Sequence, residues 1–197
     1  MDLESKESIR SKLIAKRKYF NSHLYQKANS ALFANLVTLI SELPQLDETK
    51  RPHIYTGSIA LYWPIPGEPD LLKLTLPTEV IISLPKIIDS EMIFVEYNNT
   101  STMEKSSIST IYQPESTIEI IPKLIIVPGL GFSKTGYRIG FGRGYYDKYL
   151  NKIVRIHQPI TIGVCFHEYL FEHFPQAPHD YQLDYVLTDM ACYRRAG

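Results

Sequence analysis

The stretch "KLIIVPGLGFSKTGYRIGFGRGYYDKYLNKI", Lys123 to Ile153, decides the fold. Its opening "LIIVP" is apolar throughout rather than alternating, as expected of a strand covered on both faces in a parallel or mixed sheet. A long glycine-rich loop follows, and a helix is predicted from about Gly142 onward. The part from Gly136 to Leu150 holds four of the ten glycines, two arginines and four tyrosines. A ligand at a strand-to-helix turn of this kind meets both the carboxyl end of a strand and a helix N-terminus, where anions bind in α/β sheets.

The residue types suit that placement. Gly140, Gly142 and Gly144 alternate, so the backbone can take positive φ and come close to a ligand. Arg138 and Arg143 supply charge-assisted donors for phosphate. Tyr145 and Tyr146 can cover a planar ring or donate a hydroxyl, and Asp147 is a hard oxygen ligand suited to Mg²⁺ between phosphates. The spacing matches neither G-x-G-x-x-G nor G-x-x-x-x-G-K-[ST]. The residues alone leave three readings open: a nucleotide-phosphate site, a tightly packed corner with its arginines in solvent, and a stacking platform for single-stranded RNA.

Outward from this segment, short runs rich in β-branched and aromatic residues read as strands: "HIYTG", "SIALYW", "EVIISLP", "EMIFVEY" and, beyond the turn, "ITIGVCF". Two helices precede them. Residues 5–20 carry helix formers with Ser5 or Ser8 as N-cap, and Ser22 to Leu43 keeps helical spacing until Pro44 stops it. The fold class is therefore α/β, a single three-layer domain with a central mostly parallel or mixed sheet flanked by helices. Residues 97–117 are polar and rich in Ser and Thr, open to reading as hairpin, flap or loop. No repeat or linker divides residues 1–197.

A chain of 197 residues with 44% apolar residues is long enough to bury a sizeable core. Acids and bases balance at 21 each, which argues against duplex nucleic acid or an anionic membrane as partner. Cys165 and Cys192 suit neither a disulfide framework nor a metal site and read as inert reduced thiols. His167, Glu168 and His173 do not form H-E-x-x-H. With no apolar leader and no run long enough to span a bilayer, the expected location is the cytoplasm. On the first helix, Lys6, Arg10 and Arg17 fall within roughly 40° of one another at 100° per residue, flanked by Leu3, Ile9, Leu13, Ile14 and Phe20. Three bases in an apolar face call for carboxylates or an anionic ligand, unless the side chains snorkel outward.

Four separated motifs, in order, carry a resemblance: "KESIRSKLIAKR" near the N-terminus, "ALYWPIPGEPD" at 60–70, "PGLGFSKTGYRIGFGRGYYDKYL", and "IGVCFHEYLFEHFPQAPHDYQLDYVLTD" toward the end. Together they resemble the 5-formyltetrahydrofolate cyclo-ligase family, the methenyltetrahydrofolate synthetases. The resemblance implies an enzyme that uses ATP and Mg²⁺ to turn 5-formyltetrahydrofolate into 5,10-methenyltetrahydrofolate, with release of ADP and phosphate. It further implies that Lys6, Arg10 and Arg138 through Tyr146 hold ATP, with Gly140, Gly142, Arg143, Gly144 and Tyr145 among them. Asp147 and Asp180 would bind the metal. Trp63, Glu68 and Phe141 through Tyr145 would contact the folate, and Arg143, Tyr145 and Asp147 would act in catalysis. Trp63 alone also reads as core, Glu68 as a turn acid and Asp180 as a cap. Ser133 stands where many members have Asp, Gln113 where Glu is usual and Glu168 where Gln is common. Phe141 takes a position that is Arg in some relatives and aromatic in others. Two other readings are a folate-binding protein without turnover and an RNA-binding module. The sequence leaves the oligomeric state open, with a monomer favoured.

Overall fold

The computed structural model describes residues 4–43, 57–73, 80–106 and 111–196. Helix α1, Lys6–Arg17, begins where Ser5 has extended backbone and its hydroxyl accepts the Ser8 N–H at 3.2 Å. Glu7 in its first turn and Lys16 and Arg17 in its last complement the helix dipole. Helix α2, Gln26–Glu42, buries Leu32 and Leu36. It starts at Gln26 rather than Ser22 because the intervening residues form turns, with Leu24 N–H on Asn21 O and Asn21 Oδ1 accepting from His23 N–H. Pro44 and residues 53–56 of "HIYTG" lie outside the described residues.

The strands are β1, Ser58–Ala60; β2, Ile81–Ile88; β3, Glu91–Glu96; β4, Met103–Lys105; β5, Tyr112–Pro114; β6, Leu124–Val127; β7, Gly131–Ser133; β8, Arg138–Ile139; β9, Ile160–Val164; β10, Leu170–Phe171; β11, Tyr185–Leu187; and β12, Cys192–Arg194. Helix α3, Tyr145–Ile153, lies between β8 and β9. Among the described residues, a seven-stranded sheet has the order β12-β11-β9-β6-β1-β2-β3. Its centre is parallel and each edge pair, β11–β12 and β2–β3, is antiparallel. Residues 97–117, open at the level of sequence, contain the β4–β5 hairpin.

Side chains alternate along the central strands, so both faces of the sheet are covered. Ile125 and Val127 of β6 join Ile9 and Leu13 of α1 and Leu150 and Ile153 of α3 in one core. Leu124 and Ile126 join Leu32 and Leu36 of α2 in the other. The continuously apolar reading of "LIIV" follows from this double burial. The loop from strand to helix is more ordered than its glycines suggested. β7 and β8 form a hairpin within it, β10 adds to β7, and α3 starts at Tyr145 rather than Gly142. Ser133 fits this hairpin because its hydroxyl accepts the Tyr137 N–H at 3.0 Å, fixing the turn.

Strand order reverses between β1 and β6, since the chain leaves β1 toward β2 on one side and continues from β6 toward β9 on the other. The segments following their carboxyl ends therefore diverge and leave a crevice, the usual ligand position in open α/β sheets. The core beneath it is tight. A Cβ at Gly163 would lie 2.4 Å from Phe132 Cε1 and 2.8 Å from Leu183 Cδ1, both fully packed side chains. Gly163→Ala is expected to cost about 1–3 kcal/mol of stability in urea denaturation, and Phe132→Leu in the same chain is expected to restore part of the loss.

Candidate active site

The crevice is a cavity of about 1140 Å³. Lys6, Arg10, Trp63, Glu68, Arg138, Gly140, Phe141, Gly142, Arg143, Gly144, Tyr145, Tyr146, Asp147 and Asp180 all line it. The structure thus brings these fourteen residues to one place, from four separate parts of the chain, while Arg17, the third base on the apolar face of α1, is not among the lining residues. Four walls of the cavity are the segment after β1, the loop from β6 to α3, the residues around Asp180 and α1, and the β4–β5 hairpin adds a fifth.

The α3 wall is built for negative charge. Gly144 caps the helix in the left-handed region, at φ 69°, and among the described residues no side chain caps the first turn. That first turn, Gly144 to Asp147, lines the cleft, so the positive end of the helix dipole lies at it. Gly142, at φ +91°, is a second position where a side chain would strain the backbone. Arg143 is exposed at the mouth, and Phe141 is exposed beside it. Arg10 reaches over from α1, its Nε donating to Gly140 O at 2.9 Å.

Deeper in, acids and bases pair. Arg138, buried on β8, donates through Nη2 to Asp147 Oδ2 at 2.7 Å, and its guanidinium lies 5.3 Å from the Tyr146 ring centroid. The Tyr146 hydroxyl is buried and has no hydrogen-bond partner among the described residues, and burial pushes the phenol well above its ordinary pKa. It is a neutral donor held in the cleft. Lys6 Nζ meets Asp180 Oδ1 at 2.7 Å. Burial alone would raise the Asp180 carboxyl, but the Ala177 amide and the Lys6 ammonium bring it below its usual value. Asp180 therefore stays ionised, as a hard-cation ligand must.

On the β1 wall, the Tyr62 hydroxyl donates to Pro69 O at 2.7 Å, and Asn29 of α2 exchanges hydrogen bonds with the Asp70 backbone. These contacts hold the turn that carries Trp63 and Glu68. Glu68 is buried, accepting from Ile65 N–H at 3.3 Å. Burial pushes its carboxyl up to about 7, against the opposing pull of Arg17.

Sequence reasoning missed the hairpin wall. Ser106, Ile111, Tyr112 and Gln113 line the cleft, and the Tyr112 ring stands 5.9 Å from Trp63. The hairpin is anchored by Lys86, buried on β2, which donates to Glu115 O at 2.8 Å and pairs with Glu104 Oε1 at 3.1 Å. Gln113 accepts the Ile87 N–H at 3.1 Å, so its side chain anchors the hairpin to β2. No periodicity in 97–117 marked these positions. Glu168, another departure from the family pattern, bonds Tyr25 and Lys16 outside the cleft.

Among the described residues no group of three or more His, Cys, Asp or Glu forms a ready metal cage. One or two carboxylates, Asp147 and Asp180, suit Mg²⁺ shared with phosphate oxygens, and the uncapped helix end with Arg10, Arg138 and Arg143 suits a polyphosphate.

Glu68 also leaves a mark on stability. Its folded pKa of about 7 lies above the ordinary 4.5, so its contribution is complete below that lower value and is lost as pH rises through the higher one. Glu68→Gln stays neutral throughout. In paired urea denaturations, the variant is expected to gain on the unmodified protein between pH 4.5 and 7; parallel curves would mean that Glu68 is ionised in the fold.

Comparison with known proteins agrees with this architecture. Residues 2–189 match the 5-formyltetrahydrofolate cyclo-ligase family. A 5-formyltetrahydrofolate cyclo-ligase of Mycoplasma genitalium is 32% identical, over 93% of this chain and 98% of its own. The structure of 5,10-methenyltetrahydrofolate synthetase from Aquifex aeolicus superposes with a TM-score of 0.76 at 27% identity, covering 98% of this chain and 94% of that one. The synthetase from Mycoplasma pneumoniae shares the fold, with a TM-score of 0.67. With a crevice at the strand-order reversal, an uncapped helix end facing it and this likeness along almost its whole length, the chain belongs to the 5-formyltetrahydrofolate cyclo-ligase family.

Proposed function

We propose that this enzyme converts 5-formyltetrahydrofolate to 5,10-methenyltetrahydrofolate at the expense of ATP, with Mg²⁺ as the metal. The observation that carries the reading is the convergence in one crevice of an anion-binding helix end and a wall bearing an aromatic ring beside a buried carboxyl. A formyl oxygen on nitrogen is a poor leaving group. Transfer of the γ-phosphoryl group to it with release of ADP, attack of N10 on the activated carbon with loss of the N10 proton, and departure of the formyl oxygen as phosphate close the ring and balance the reaction.

The residues divide the work. Lys6, Arg10, Arg138 and Arg143, with the backbone of Gly140, Gly142, Gly144, Tyr145 and Tyr146, bind the ATP phosphates. Trp63 offers a face to the pterin and Glu68 accepts its ring N–H donors. Phe141 through Tyr145 border both ligands. Arg143, Tyr145 and Asp147 lie closest to the transfer in this assignment. Asp147 and Asp180 would hold Mg²⁺, which neutralises charge on the transferring phosphoryl group. Arg138 and Lys6, which pair with these acids here, hold the two carboxylates in place. The protein supplies positioning and charge stabilisation and needs no covalent nucleophile.

Purified protein mixed with 5-formyltetrahydrofolate, Mg²⁺ and ATP is expected to show a near-ultraviolet absorbance rise from the methenyl product, dependent on ATP and matched by ADP release. No rise, with folate still binding, would leave a binding protein without turnover. Asp147→Asn is expected to keep the fold and lose about 100-fold or more in kcat, the scale of one electrostatic contact at a reacting centre. Full activity in that variant would remove Asp147 from the mechanism. Arg10→Ala is expected to raise KM for ATP about tenfold, the scale of one charge-assisted hydrogen bond, and to leave KM for folate in place; equal losses would point to damage at Gly140 instead.

A further inference from the structure

Of the three bases on the apolar face of α1, Lys6 and Arg10 line the cleft. Arg17 has no part in the reaction outlined above, yet it is only 7% exposed. Its guanidinium sits where the two crevice walls meet. Nη2 donates to Gly129 O at 2.6 Å and Leu130 O at 3.2 Å, in the segment leaving β6. Nη1 stands 3.6 Å from Glu68 Oε1, in the segment leaving β1. The approach is close enough that a Cβ at Gly67, itself at φ +87°, would meet the Arg17 side chain at 2.8 Å. Arg17 Nε and Nη1 are buried and have no hydrogen-bond partner among the described residues. A buried cation therefore keeps donors in reserve beside a buried carboxyl, an arrangement that is costly until the carboxyl ionises and accepts them.

We propose that Arg17 is a positioning residue for the folate: it sets the charge and aim of Glu68 and locks the β1 wall to the β6 wall, so that a carboxylate faces the ring N–H donors. The inference rests on the reading of Glu68 as the ring contact. The groups that face Glu68 support it. They are Arg17 from α1, Arg138 from β8, Tyr62 from the segment after β1, Tyr146 from α3, and the Ile65 N–H. Arg138 is already paired with Asp147, and burial keeps both phenols protonated. Arg17 is thus the main opponent of burial, which by itself drives Glu68 toward the neutral acid. A neutral acid would keep its carbonyl oxygen as acceptor but turn the other oxygen into a donor facing a ring donor, so it could no longer accept from two of them at once.

The test compares the unmodified protein with Glu68→Gln, Arg17→Met and Arg17→Lys. Two readouts are taken: the carbon-13 titration of the Glu68 carboxyl, and the pH dependence of kcat and KM for 5-formyltetrahydrofolate. In Arg17→Met the Glu68 midpoint is expected to rise by about one unit or more, and KM at neutral pH to rise about fivefold for the first unit and about tenfold for each further one. KM returns toward the unmodified value above the shifted midpoint, while kcat stays within about twofold throughout. Arg17→Lys keeps the charge and is expected to bring the midpoint back toward that of the unmodified protein. If Arg17→Met does not fold, the Arg17 Nε–H resonance of the unmodified protein carries the test. It is expected to move with the Glu68 midpoint and to stand still in Glu68→Gln, and a resonance silent to pH in both would overturn the proposal. A Glu68→Gln protein with unchanged KM for folate removes Glu68 from the substrate, and Arg17's role with it. Weakened folate binding in Glu68→Gln, together with an unmoved midpoint and a pH-independent KM rise in Arg17→Met, overturns the proposal alone and leaves Arg17 a structural clamp.

Discussion

The parallel pairing of β1 with β6 is the constraint on which the rest depends. Ile59 lies beside Leu124 and Ala60 beside Ile125, and beyond that ladder the two chains turn away from each other. A sheet buried on both faces has few places where polar chemistry can reach the backbone. The divergence beyond these strands is one, because the connections there cannot cover the gap that they create. Two walls of the cleft hang directly from the rim of this divergence: the Trp63–Glu68 turn on one side, the β7–β8 hairpin and α3 on the other.

That rim gathers charge in a chain whose formal net charge is zero. Arg138 with Asp147, Lys6 with Asp180 and Arg17 with Glu68 are each partly or wholly buried. Desolvating such pairs brings little net stability to a fold, and stranding one member costs more than the pair contributes. In the proposed function their use lies in ligand binding. A bound anion or cation would exchange one partner for another of like charge, so the site would receive charged ligands without first exposing an unpaired ion. The Tyr146 hydroxyl and Ser106 Oγ, which have no hydrogen-bond partner among the described residues, are further polar groups in the same cleft.

The hairpin shows how a polar segment becomes part of an apolar cavity. Residues 103–114 present no hydrophobic stripe, and by themselves they have little reason to dock. Lys86 supplies the reason: buried within β2, it needs acceptors, and it finds Glu104 and the carbonyls of Glu115 and Ser116. Gln113 completes the tie, and Tyr112 is brought against Trp63. Nothing in the local pattern announced this, since the partner that fixes the hairpin is one lysine in a different strand.

Local chemistry determined a good deal from the sequence alone. Apolar runs without alternation marked buried strands, Ser5 marked the start of α1, and the spacing of Lys6, Arg10 and Arg17 put three bases on one helical face. The dense glycine, arginine and tyrosine segment pointed to a ligand-facing turn, and four ordered motifs pointed to a family. These signals are legible because they depend on backbone preference and periodicity within a few residues. Tertiary structure decided what those signals were for. Only the strand order shows that Trp63, Arg10, Arg143 and Asp180 share a cleft. Only three-dimensional packing pairs Arg17 with Glu68 rather than with phosphate, and sets Lys86 under the hairpin. Ion pairing, burial and the ionisation of Glu68 depend on partners brought together from distant parts of the chain, and no spacing within a single segment encodes them.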